Sequence, residues 1–120
     1  MASWNIEYTD EFEAWWRTLT VEEQRAVTAA MELLERDGPT LGRPMVDTLT
    51  ASRHPNMKEL RPPATYLRVL FAFDPRRTAI LLIGGNKEHR WLEWYRDFIP
   101  VADHLYDEHL DELRREGDMK

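Results

Sequence analysis

Nine side chains between positions 53 and 95 could do chemistry: Arg53, His54, Lys58, Arg61, Arg68, Lys87, His89, Arg90 and Tyr95. Lys58 and Arg61 share the segment Lys58-Glu59-Leu60-Arg61. Arg68 sits inside the apolar run Tyr66-Leu67-Arg68-Val69-Leu70-Phe71, and Lys87, His89 and Arg90 follow Gly84-Gly85. Cations that converge without an equal number of carboxylates repel one another, and a bound anion relieves that cost. Cleavage of RNA by its neighbouring 2′-hydroxyl needs such a set. A base takes the hydroxyl proton, cationic donors hold the charge that builds on phosphorus, and an acid protonates the departing 5′-oxygen. Histidine titrates near neutrality and suits either proton step. Arginine presents a planar fork that binds two phosphate oxygens. This chemistry needs no metal and no organic cofactor.

A plainer reading stands beside it. An arginine in an apolar strand needs an anionic partner, and Glu59 can supply one in a purely structural ion pair. Arg76 and Arg77 read as solvated turn residues without a function. His104, Asp107, Glu108 and His109 have helical spacing that could hold a metal, but a solvated acidic helix face explains them more simply, and no metal site is expected.

The 120 residues contain no cysteine, which excludes a disulfide scaffold, a thiolate zinc site, an iron–sulfur cluster and a cysteine nucleophile. The net charge of −6 hides a division: residues 1–42 carry −6, residues 43–90 carry +5 and residues 91–120 carry −5. The acidic ends make the whole protein a poor general nucleic-acid binder, while the basic middle can hold a polyanion locally. The longest apolar run, Ala79 to Ile83, is far short of a membrane span. Met1 to Glu7 lacks the basic and apolar regions of a signal peptide, so a cytoplasmic protein without membrane contact is expected.

The elements that must position these groups follow from periodicity. Trp4, Ile6 and Tyr8 alternate with polar residues and predict a first strand over 3–8. Asp10 is the expected N-cap of a short helix bearing Phe12, Trp15 and Trp16 on one stripe. Thr20-Val21-Glu22-Glu23 is a capping box opening a second helix, with Val27, Ala30, Met31 and Leu34 inward and Gly38 at its end. Residues 39–56 show no period and read as a loop. Strands are expected at 57–61, 66–73 and 78–83, with Asp74-Pro75-Arg76-Arg77 turning the last pair and Gly84-Gly85 ending the third. The last third is helical, with Trp91, Trp94, Tyr95 and Phe98 on one stripe and Pro100 starting a new helix. The order β-α-α-β-β-β-α describes a two-layer α+β domain over residues 1–116: an antiparallel sheet, N-terminal helices packed on it and a C-terminal helix, followed by a flexible tail at 117–120.

Lys58-Glu59-Leu60-Arg61, Tyr66 to Asp74, Gly84-Gly85 with Lys87, and Trp94-Tyr95 leading to Ile99-Pro100-Val101-Ala102-Asp103 together resemble the RelE/ParE toxin superfamily, in particular its phage-derived, HigB-like branch. The resemblance implies a small α+β toxin with a microbial-ribonuclease-like sheet. It implies a metal-independent endonuclease that cuts messenger RNA on the ribosome. It also implies a helix-turn-helix antitoxin that holds the toxin inactive and alone connects it to operator DNA. By position, Lys58, Arg61, Arg68 and Lys87 match the family's phosphate-binding cations, and Lys58 or His89 its proton-transfer group. Arg53, His54 and Arg90 are expected to contact RNA, with Tyr95 stacking on a base. Two other readings compete: a DNA gyrase poison on the same fold, and a non-catalytic module whose basic face binds nucleic acid or a protein.

Overall fold

Alternating apolar residues in the middle of the chain build a mixed sheet, seen in a computed structural model that describes residues 3–117. Its strands are β1 (Asn5–Tyr8), β2 (Val46–Thr48), β3 (Lys58–Leu60), β4 (Leu67–Phe73) and β5 (Thr78–Asn86), in spatial order β1-β5-β4-β3-β2. The α+β class is as expected, and β5, the most apolar strand, lies inside the sheet. The sheet is not wholly antiparallel, because β1 runs parallel to β5. A parallel partner requires a crossover, and α1 (Asp10–Trp16) and α2 (Val21–Asp37) lie on the path that leaves β1. β2 was not expected. It is three residues long and buries only Val46, too little to produce a readable period.

The pleat divides the core in two. Leu67, Val69, Phe71, Ala79 and Leu81 face α1 and α2, where Phe12, Val27, Ala30 and Leu34 are buried. Leu70, Ala72, Ile80 and Leu82 face the third helix, α3 (Trp91–Arg115), through Trp94, Ile99, Ala102, Leu105 and Tyr106. Helices therefore cover both sheet faces, which adds a layer to the two expected.

Local chemistry explains the other departures. Thr9, not Asp10, caps α1: its hydroxyl accepts from Phe12 N at 3.0 Å and donates to Leu82 O at 2.6 Å, tying the helix to β5. Gly84-Gly85 continues β5 instead of ending it. A Cβ on Gly84 would lie 2.3 Å from the Trp15 ring, and one on Gly85 would lie 2.3 Å from Trp94 Nε1. The glycines are there because two tryptophans close on the strand from opposite faces. Pro100 leaves α3 unbroken. Its ring is exposed, and an interior proline costs roughly 3 kcal/mol. Burying each large residue of the inner stripe contributes about 1.5–3 kcal/mol, so packing holds the helix straight through. The capping box at Thr20 and Glu23 forms as expected, and Gly38 adopts φ +57° against Trp4. Arg76 and Arg77 are not merely solvated. Arg76 bonds Asp74 and Glu7, and Arg77 lies 4.5 Å over the Trp4 ring. Of the expected tail, the part beyond Gly117 lies outside the described residues. Among the described residues, no helix is long and apolar enough to cross a membrane.

Candidate functional site

The register of β3, β4 and β5 determines which cations meet. Glu59 pairs with Leu70, and Arg68 pairs with Gly85. Side chains alternate across a strand, so Glu59, Arg61, Tyr66 and Arg68 share the α3 face. Lys58 pairs with Phe71 and takes the other face.

Glu59 is the centre of the group and is 2% exposed. Arg61 donates to Glu59 Oε2 from Nη2 at 2.8 Å and from Nε at 3.1 Å. The Tyr95 hydroxyl donates to Oε1 in a very short hydrogen bond. Arg68 reaches from the neighbouring strand, its Nε 3.6 Å from Oε1, beyond hydrogen-bond range. Its Nη1 donates to Leu67 O at 2.7 Å. Arg68 Nε is one of two buried side-chain nitrogens without a partner among the described residues, the other being Trp94 Nε1. Lys87 completes the set from the end of β5. Its Nζ stands 5.7 Å from the Trp91 ring centroid and 5.8 Å from that of Tyr95.

The electrostatics are unbalanced. Three cations, Arg61, Arg68 and Lys87, surround one buried carboxylate. Asp47 touches Arg61 from outside at 3.4 Å and is itself shared with Arg43 at 3.2 Å. Burial, and then the charge of Arg68, push Lys87 below the usual lysine range. Burial, and then the hydrogen bond to Glu59, push the Tyr95 hydroxyl up to about 12. A site with surplus positive charge, an unsatisfied guanidinium nitrogen and a lysine that holds its proton weakly is fitted to receive an anion.

Four of the nine expected residues therefore converge: Arg61, Arg68, Lys87 and Tyr95. The other five do not. Lys58 donates to Thr48 Oγ1 at 3.2 Å on the opposite face. Asp107 of α3 holds both His54, at 2.8 Å, and Arg53. Asp107 is twelve residues beyond Tyr95, about 18 Å along the helix. The loop before β3 is docked there because buried Asp103 accepts from Ser52 Oγ and Arg53 N. His89 is exposed and pairs with its neighbour Glu88, and Arg90 reaches only Asp97, at 3.6 Å. Tyr95, expected to stack on a base, donates its hydroxyl to Glu59. The structural partner foreseen for Arg68 is present, but its hydrogen bonds come from Arg61 and Tyr95. Among the described residues, no three metal-ligating side chains converge.

Trp91, which shares a stripe with Trp94, Tyr95 and Phe98 by spacing, is 54% exposed beside Lys87.

Comparison with known proteins identifies the family. Residues 14–107 match the family described as phage derived protein Gp49-like. The protein called toxin HigB3 in Mycobacterium tuberculosis (strain ATCC 25618 / H37Rv) is 53% identical over 93 residues, covering 78% of this chain and 82% of that one. This chain belongs to the Gp49-like family and is a RelE/HigB-like toxin. HigB2 of the same organism is 50% identical over 104 residues, 84% of this chain, although the match spans only 52% of that relative's length. Solved structures share the toxin's fold at low identity. The archaeal RelE of Pyrococcus horikoshii OT3, solved with RelB, superposes with a TM-score of 0.58 at 12% identity, covering 74% of this chain and 99% of that one. The isolated RelE toxin of E. coli superposes with a TM-score of 0.56 at 12% identity, covering 78% and 96%.

Proposed function

We propose that this toxin is a metal-independent endonuclease that cuts messenger RNA on the ribosome in the cytoplasm. The observation that carries the reading is the surplus of positive charge at Glu59, with Arg68 Nε unpaired and facing it. Arg68 and Arg61 bind the scissile phosphate and hold the charge of the pentacovalent transition state. The 2′-oxygen forms its bond to phosphorus as the bond to the 5′-oxygen breaks, leaving a 2′,3′-cyclic phosphate and a 5′-hydroxyl. The reaction consumes no net proton, so a group that can take one and return it serves both steps. Lys87, with its weakened hold on a proton, fills the role expected of Lys58, His54 or His89. Glu59 orients both arginines and Tyr95, making it a positioning residue.

The proposed partner is a cognate antitoxin of the helix-turn-helix kind, through which alone the toxin meets operator DNA. RelE relatives solved as complexes with RelB, from Pyrococcus horikoshii and Mycobacterium tuberculosis, support a protein antitoxin as the partner.

Induced expression of wild type beside Arg68→Ala, followed by mapping of transcript 5′ ends, tests the reading. Growth arrest with codon-phased cuts in wild type alone is expected. Intact transcripts with a supercoiling defect would replace the nuclease by a gyrase poison, and harmless expression would leave a non-catalytic module.

A further inference from the structure

Two of the toxin's exposed aromatic side chains stand at the entrance to the charged group. Tyr66 is 55% exposed and Trp91 54% exposed. Single exposed aromatics are common on protein surfaces and mean little alone. These two line one hollow of about 200 Å³ with Lys87 and Glu88.

Their positions are set by backbone. Tyr66 precedes β4 on the same face as Arg68, and its carbonyl accepts from Lys87 N at 3.1 Å. Trp91 is the first residue of α3, and that first turn is closed by Trp94 N donating to Arg90 O at 2.7 Å. Lys87 Nζ stands near the Trp91 ring. The Glu88 carboxylate is turned to His89, at 2.9 Å.

We propose that Tyr66 and Trp91 form a clamp for one unpaired nucleobase of a single-stranded RNA, with the attached phosphate directed past Lys87 to Arg68. This deepens the nuclease reading and rests on it for the choice of RNA. The hollow is smaller than the roughly 300–1,000 Å³ typical of drug-sized sites, which suits one base and not a pair. Rings reach a base only when it is unstacked, so the clamp selects single strands over duplex. Every base has a π-face, so the contact itself reads no sequence. Lys87 and Glu88 line the hollow together, and with Arg68 and Arg61 beyond Lys87 the cations outnumber Glu59 and Glu88, which favours a polyanionic strand over an apolar peptide.

The test uses a fluorescently labelled 2′-O-methyl RNA of ten nucleotides, which lacks the attacking hydroxyl and so separates binding from cleavage. Anisotropy is expected to show binding to the single strand and at least tenfold weaker binding to the same sequence as a duplex. Trp91→Ala and Tyr66→Ala should each weaken single-strand binding by roughly 5- to 100-fold, the loss expected for one stacked base. Trp91→Phe should recover most of it. Both positions are exposed, so far-UV circular dichroism should be unchanged. Alanine variants within twofold of wild type, equal affinity for duplex, or no binding by wild type would each overturn the clamp. A separate assay on cleavable messenger bound to ribosomes keeps the two readings distinguishable. Wild type that cleaves while the alanine variants bind normally removes the clamp alone. A clamp that binds as described in a wild type that never cleaves removes the nuclease alone.

Discussion

Two buried carboxylates in this molecule each hold an arginine, and they hold it differently. Asp74, at the β4–β5 turn, has no exposed side-chain surface. It accepts from Arg76 N at 2.8 Å, Thr78 N at 3.2 Å, Arg76 Nη2 at 2.7 Å and His109 Nε2 at 2.9 Å. Glu7 meets Arg76 from the other side at 2.9 Å. Charge and hydrogen bonds close on themselves there. Around Glu59, three cations outnumber the carboxylate and a buried guanidinium nitrogen has nothing to bond. Buried charges cost several kcal/mol unless they are paired, so the closed cluster serves stability while the open one is the group we propose to be completed by an anion. Both centre on an acid–arginine pair, and only the completeness of the pairing tells structure from site.

Removing the centre of the closed cluster should have the largest effect. Asp74→Ala leaves His109 and the Thr78 amide without their acceptor and Arg76 with Glu7 alone, and a loss of about 3–5 kcal/mol in urea unfolding is expected. The protein that remains folded should cleave normally. If stability holds, the contrast between the clusters fails.

Arg68→Ala should do the reverse. Cleavage should fall by about 10²–10³-fold, the usual result of deleting one transition-state donor. The melting temperature should stay level or rise, because a cation is removed from an uncompensated group. A large drop in stability with activity intact would make Arg68 an ordinary ion-pair residue.

Glu59→Gln should lower the Tyr95 pKa from about 12. Burial is the larger cause and persists, so the value should stop above the ordinary tyrosine pKa of about 10. Ultraviolet titration against Tyr95→Phe isolates this one hydroxyl, and an unchanged value would show that Glu59 is not its partner in solution.

The smallest effect concerns acid. Burial alone would raise Asp74, but hydrogen bonds from His109 and Arg76 reverse this and leave it below the usual carboxylate range. Its contribution to stability is then present above that usual range and lost as pH falls through the lowered value. His109→Gln should weaken stability by about 1 kcal/mol and move the acid unfolding midpoint to higher pH. A midpoint that stays in place or falls would remove His109 from the cluster.

The sequence was readable where the period was strong. The alternation from Leu67 to Phe73, the Thr20 capping box and the apolar stripe of α3 each dictated their element, because burial and capping act over a few residues. Neighbouring strands also made Arg61 and Arg68 legible as a pair. What stayed hidden depends on distant partners. Nothing local in Ser52-Arg53-His54 says that Asp103 and Asp107 will bind that loop to α3. Nothing in Gly84-Gly85 says that Trp15 and Trp94 need the space, so a strand looked like a break. The face taken by Lys58 was decided by its register with Phe71, one residue away from joining the site.

On the proposed reading, the surplus cations around Glu59 hold a phosphate during cleavage. The most direct measurement is end-group analysis of a messenger bound to ribosomes and incubated with purified wild type or Arg68→Ala. The account predicts 2′,3′-cyclic phosphate and 5′-hydroxyl ends from wild type and almost none from the variant. Intact messenger with wild type, or the same ends at the same rate from the variant, would contradict it.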